Sequence, residues 1–197
     1  MDKLIALWQV LPVIDWVALL LFFGGWVGYA HFAKRRSEVQ PSVLASTNRE
    51  RRRWMLQATW RDNRVIDGVV VQSMSASPAF FASTTILIIG GLLAVLSTTD
   101  KASEFVREVP FAARTSLLVF DLKVVLLLAI FIYAFFRFTW SLRQYSFGAL
   151  LVGAAPPHDR FSDDEQREAF ADRAGRVMGL AAETFNSGLR AYYFSFA

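Results

Sequence analysis

Three apolar runs dominate the hydrophobic pattern of this chain: Val13 to Ala33, Ala79 to Thr98 and Leu117 to Phe136. A helix rises about 1.5 Å per residue, so about 20 residues match a hydrocarbon core about 30 Å thick, and each run meets that length. Trp and Tyr fall near several of their ends, at the level where a bilayer meets water. A soluble protein can bury one helix that is apolar all round, but three of this length argue for an integral membrane protein. The predicted fold class is all-α, an integral membrane helical bundle forming a single domain over residues 1–197, with spans at about 13–33, 79–98 and 117–136.

Lys3 before the first run resembles the start of a secretory signal. The run is longer than a signal core, contains Asp15 and is followed directly by Lys34, Arg35 and Arg36. It reads as a retained span whose positive end stays in the cytoplasm.

Between the runs the pattern is amphipathic. From Asn48 to Ser75 a helix is predicted, capped by Asn48, with Trp54, Ala58, Val65 and Val69 aligned with Met55, Ile66 and Val70 on one apolar face. Its other face is basic. It reads as a cytoplasmic extension of the second span, or as a surface lying on anionic lipid or on a neighbouring helix. Pro156 and Pro157 then break the chain, and Ser162 with Glu165 forms a capping box that should open a long helix. Along it Phe170, Ala174, Val177, Ala181, Phe185, Gly188 and Tyr192 recur every three or four residues, a stripe suited to close helix packing more than to a cofactor.

The sequence closes on Ala191-Tyr192-Tyr193-Phe194-Ser195-Phe196-Ala197, just after Arg190. This reads as the first turns of a fourth span from about Phe185, and the natural chain is then expected to continue past Ala197. An amphipathic anchor at the interface is the alternative.

Charge orients the spans. The segment 34–78 is rich in Arg and is predicted cytoplasmic, as is 137–184. The connection from Thr99 to Ser116 balances Lys101, Arg107 and Arg114 against Asp100, Glu104 and Glu108, and belongs outside with the amino terminus. The expected location is a multi-pass position in a bacterial inner membrane. A formal net charge of +4 is too small to argue for nucleic acid, since the cations already have a topogenic role. With no cysteine, disulfides, thiolate metal sites and Cys nucleophiles are excluded.

Polar groups at membrane depth are the candidate chemistry. Asp121 and Lys123 lie about 6 and 9 Å below the outer edge of their span. Two residues apart, they point to opposite sides of the helix, so each needs a partner elsewhere. Asp15 sits near the same end of the first span and is the first expected partner of Lys123, with Asp121 of a neighbouring copy the second. Intramembrane ionisable groups are functional candidates, with a role in fixing helix depth as the alternative. Asn186 and Arg190, one turn apart, can orient an anion or polar solute at the cytoplasmic mouth, or hydrogen-bond neighbouring helices.

Gly24 with Gly28, Gly90 with Gly91, and Gly188 are candidate helix-packing positions, and Gly175 with Gly179 repeat the spacing. His31 and His158 are isolated, so neither a metal site nor a cofactor is predicted. No Walker loop, GxSxG elbow, HExxH or paired-carboxylate constellation is present, and the chain reads as a non-enzyme.

These segments carry a resemblance. Arg61-Asp62-Asn63-Arg64 running into Ser73 to Leu87, then Phe120-Asp121-Leu122-Lys123, and above all Phe185-Asn186-Ser187-Gly188-Leu189-Arg190-Ala191-Tyr192-Tyr193-Phe194 resemble the bacterial and plant membrane proteins grouped as domain of unknown function 599. The resemblance covers most of the chain. It implies a multi-span helical protein with a fourth span after the last block, and it implies no reaction. The leading functional expectation is a homo-oligomer in the lipid bilayer that forms or lines a path for an ion or small polar solute. The alternative is a non-catalytic scaffold or accessory subunit that binds a protein partner through its cytoplasmic helices. A lipid-modifying enzyme is disfavoured.

Overall fold

A computed structural model describes residues 13–39, 43–99, 101, 104 and 116–196. The candidate signal-like Lys3, most of the connection after Thr99 (Asp100, Arg107, Glu108 and Arg114) and Ala197 lie outside the described residues. Among the described residues there are five longer α-helices and one short 3₁₀ turn: α1 (Val13–Val39), α2 (Val43–Ala58), α3 (Val65–Ser97), α4 (Leu117–Gly153), the turn His158–Arg160 and α5 (Asp164–Phe194). No strand occurs among the described residues.

α3 and α4 are long and apolar enough to cross a bilayer, and α1 carries a shorter apolar stretch, Val13–Tyr29. With 33 and 37 residues, α3 and α4 extend about 50 and 55 Å, well past a hydrocarbon core about 30 Å thick. Each helix is longer than its apolar run at one end. α3 starts at Val65, ahead of the expected Ala79, and carries Pro78 in its interior; α4 runs past Phe136 to Gly153.

The helix expected over Asn48 to Ser75 is two helices. α2 begins at Val43, and the chain turns at Thr59 to Arg64. There the Thr59 and Trp60 N–H groups fold back onto the Leu56 and Gln57 carbonyls at 3.1 and 3.2 Å. The Asn63 side chain then accepts from the Val65 N–H at 2.9 Å. Local side-chain bonding competes with helix continuation and wins. Consequently Met55 and Ala58 are buried, whereas Val65, Ile66 and Val69 stand exposed instead of continuing the α2 apolar face. Asn48 is not a cap; inside α2 it accepts from Arg51 at 2.6 Å.

The start of α5 differs from the expected box by one residue. Asp163 is the N-cap and accepts from the Gln166 N–H at 2.7 Å, while the Gln166 side chain accepts from the Ser162 N–H at 2.8 Å. An aspartate is at least as good a cap as serine, and the Gln166 side chain reaches back past the N-cap to the N–H of the residue before it, a bond one position off that of a capping box.

α4 is the central helix. α3 and α5 pack along it, antiparallel to it, and α2 packs on α5. One core, at the 3₁₀-turn end, joins Met55, Val71, Tyr145, Phe170, Ala174 and Met178. The other, in the apolar zone, joins Ala82, Ile130, Ala134, Phe138 and Ala191, with Phe81, Phe185 and Tyr192 packed against them. α1 reaches this second core through Phe22 and Trp26, the Trp26 ring stacking on Phe194 at 5.4 Å and meeting Tyr133 at 5.9 Å.

Candidate functional site

Two polar constellations are built on this frame, one at each end of α4. The larger lies where α2 ends, α3 begins and α4 gives way to the 3₁₀ turn. Helix C-termini leave carbonyls without an intrahelical partner, and cations are favoured there. Arg64 uses this twice: its Nε donates to the Ala58 carbonyl at 3.0 Å, and its Nη1 donates to the Ala155 carbonyl at 2.8 Å, just past α4. Arg167, 7% exposed, donates to the Thr59 and His158 carbonyls, each at 2.7 Å. Its guanidinium lies over the Trp60 ring at 3.7 Å and the Phe161 ring at 4.7 Å. Two arginines therefore clamp the ends of α2 and α4 to the start of α5.

Asp67, in the first turn of α3, is fully buried. Its Oδ1 accepts from Trp54 Nε1 at 2.7 Å and from Arg61, while its Oδ2 has no partner. His158 Nδ1 is 2.6 Å from Asp62 Oδ1. Each loop residue in the Arg61-Asp62-Asn63-Arg64 block is thus engaged, three of them with groups from other elements or the facing turn. Sequence reasoning named this block for its resemblance and assigned it no role. The usable signal was the density of arginine beside helix-breaking residues.

Beside this junction, α2 and α5 come close. A Cβ on Gly175 would stand 3.0 Å from the Arg52 Cα, and one on Gly179 would stand 3.0 Å from the Asn48 side chain. A surface recess of about 340 Å³ lies there, lined by Asn48, Arg52, Asp172, Arg176 and Glu183. The hydrogen bond from Arg52 to Asp172 and the attraction of that carboxylate hold the Arg52 guanidinium above its ordinary range.

At the other end of α4, Lys123 Nζ lies 3.3 Å from Asp15 Oδ1, joining α4 to α1. Asp121 accepts from the Thr99 hydroxyl at 2.8 Å, joining α4 to the end of α3. The two α4 charges are thus served by different helices, as their opposite directions require. Asn186 and Arg190 are half-buried on α5, and Arg190 donates to Ser187 of its own helix at 2.8 Å.

The glycines divide into two groups. Added Cβ atoms at Gly24, Gly28, Gly90 and Gly91 would meet nothing within 4 Å. At Gly188, by contrast, a Cβ would strike the Phe138 ring at 2.5 Å. Gly188 is a true close-approach position within this chain; the other four face outward from it.

Between the two ends the seam is apolar. Phe81, Phe131, Phe138 and Tyr192 meet edge to face or tilted at 5.1 to 5.5 Å. The Tyr192 hydroxyl is paired with Thr85, and Ser141 donates to the Ala181 carbonyl at 2.7 Å.

The chain, helical throughout its described elements and with two helices long and apolar enough to cross a membrane, matches a family model described as protein of unknown function, DUF599, over residues 17–197. The chain belongs to that family. No curated protein and no solved structure matches it.

Proposed function

We propose that the chain is a multi-span membrane protein, with α1 as a third span, that acts as a self-associating scaffold rather than as an enzyme. The outward-facing glycines carry this reading. Small residues let membrane helices approach closely, and Gly24, Gly28, Gly90 and Gly91 have open space over them while Gly188 is already filled from within. A second copy meets those faces, and the layer of α2 and the first half of α5 lies beyond the cytoplasmic surface, available to a protein partner.

The fate of the charged groups supports a scaffold over a conduit through a single copy. Lys123 has Asp15, Asp121 has Thr99, and aromatic rings fill the seam among α3, α4 and α5. A second reading, in which copies enclose a path for an ion or small polar solute, draws on Asn186 and Arg190, both half-buried, with Arg190 donating to Ser187 of its own helix. The amino terminus is outside and the inner layer cytoplasmic in both readings.

Crosslinking in native membranes, paired with flux in liposomes, tests the proposal. The scaffold reading expects a defined oligomer that collapses to monomer when Gly24 and Gly28 are both replaced by Leu, and no flux above empty liposomes. Flux that disappears with the same double substitution favours the path between copies. A chain that stays monomeric in the membrane overturns self-association altogether.

A further inference from the structure

Arg137 lies one residue beyond the apolar stretch of α4 that begins at Leu117, about 30 Å along the helix axis and so at the inner boundary of a hydrocarbon core. No charged residue occurs on α4 between Lys123 and Arg137. The Arg137 side chain is partly buried, and its Nε is shut off from solvent with no hydrogen-bond partner among the described residues. A guanidinium held in this way at a membrane boundary needs an anion, because an unpaired charge there is costly.

The space for that anion is present. A recess of about 450 Å³ lies over Arg137, lined also by Tyr133, Phe136, Thr139 and Trp140. Trp and Tyr are the residues that settle at headgroup level, with ring bodies toward the acyl region and polar tips toward water. On the apolar side of the recess, Val125, Ala129, Ile132 and Phe136 are all exposed and follow one another at helical spacing, a track running from the recess toward the bilayer centre. A cation at the boundary, aromatic flanks and an apolar track above them match one ligand chemistry: a phosphate monoanion carrying acyl chains.

We propose that this recess is a binding site for an anionic phospholipid of the inner leaflet, with the phosphate on the Arg137 guanidinium and an acyl chain along Ile132 and Phe136. The geometry favours a lipid over free phosphate because the apolar track lies directly beside the cation. Arg143 serves as an internal contrast. It is exposed, its guanidinium lies 5.1 Å over the Phe147 ring, and it does not line the recess. The site rests on the membrane-spanning reading but not on self-association.

The test is native mass spectrometry of the full chain released from nanodiscs of phosphatidylglycerol mixed with phosphatidylcholine. Both lipids carry a phosphodiester, but the choline ammonium of the zwitterionic one offsets the attraction of its phosphate for the Arg137 cation, so the anionic lipid should be favoured by about tenfold. R137Q is expected to abolish that preference and R143Q to leave it intact; R137K should retain part of it, since Lys keeps the charge and loses the fork. Thr139→Trp, which fills the recess without removing charge, should also abolish it and stands in if R137Q fails to fold. Equal retention of both lipids by the native chain, or an unchanged preference in R137Q or Thr139→Trp, overturns the site. Displacement of the lipid by millimolar inorganic phosphate at equal affinity also overturns it, in favour of a soluble anion. Release of the native chain from membranes by alkaline carbonate would instead sink the membrane reading, a result distinct from loss of lipid preference.

Discussion

The hydroxyl oxygens of Thr85 and Tyr192 lie 2.6 Å apart, a polar bond between α3 and α5 inside a seam otherwise made of aromatic rings. The two partners are not equivalent. Thr85 also bonds the Phe81 carbonyl one turn back on its own helix, so its hydroxyl keeps a partner when Tyr192 loses its oxygen. Tyr192→Phe should therefore cost only about 0.5–1.5 kcal/mol, whereas Thr85→Val leaves the phenol unpaired and should cost about 1–3 kcal/mol. Thermal unfolding of the two variants in one detergent checks the order, and a costlier Tyr192→Phe contradicts it.

The close approach of Gly188 to Phe138 gives a second prediction. Phe138 is fully buried, so its ring cannot move aside without disturbing the seam. Gly188→Ala should destabilise by about 1–3 kcal/mol through overpacking. Gly24→Ala and Gly28→Ala meet open space within the chain, and the better helix propensity of alanine should leave the isolated monomer equally stable or slightly more so. Any loss they cause should appear in the oligomer and not in the unfolding of the monomer. Measuring both properties separates the two kinds of glycine.

Much of this arrangement was legible in the sequence, and the exceptions have identifiable causes. The stripe from Phe170 to Tyr192 has one period along one uninterrupted helix, so its packing face could be read directly; Phe170, Ala174, Ala181 and Gly188 are all buried. Depth counting put Asp15 and Lys123 near the same end of their spans, and their side chains lie 3.3 Å apart. The break at Thr59 to Arg64 was hidden because apolar residues keep helical spacing across it, and only the Thr59 and Asn63 bonds reveal the turn. The early start of α3 and the late end of α4 were hidden for another reason: an apolar run marks only the apolar part of a helix and says nothing of how far the helix continues beyond it. The arginine junction depends on carbonyls contributed by segments about 90 to 110 residues away, which no local pattern reports.

The Lys123 and Asp15 contact predicts energetic coupling. Asp15 is the more buried partner, at 17% side-chain exposure against 52% for Lys123. Removing either charge strands the other between α1 and α4, although Lys123 can reach toward water along its stem. A double-mutant cycle of Asp15→Asn and Lys123→Met should give a coupling of about 1 kcal/mol, within the range for residues in contact. Additive single effects would reject a functional link between α1 and α4 through this pair.

The arginine junction offers the largest predicted effect. Arg167 has almost no solvent to retreat to, and two carbonyls on different turns depend on its two terminal nitrogens. Arg167→Met keeps much of the aliphatic stem but leaves both carbonyls without that donor, so a loss of about 2–4 kcal/mol is expected. Arg167→Lys should recover little of it. A single ammonium cannot span the Thr59 and His158 carbonyls with a planar fork, and it gives up the stacking of a guanidinium plane between Trp60 and Phe161. Limited proteolysis locates the damage: cleavage should appear first in the Thr59 to Arg64 turn and around His158, while the seam at Phe138 and Tyr192 stays protected. If Arg167→Lys matches the native chain in both stability and cleavage pattern, the forked bonding is not what holds α2 and α4 to α5.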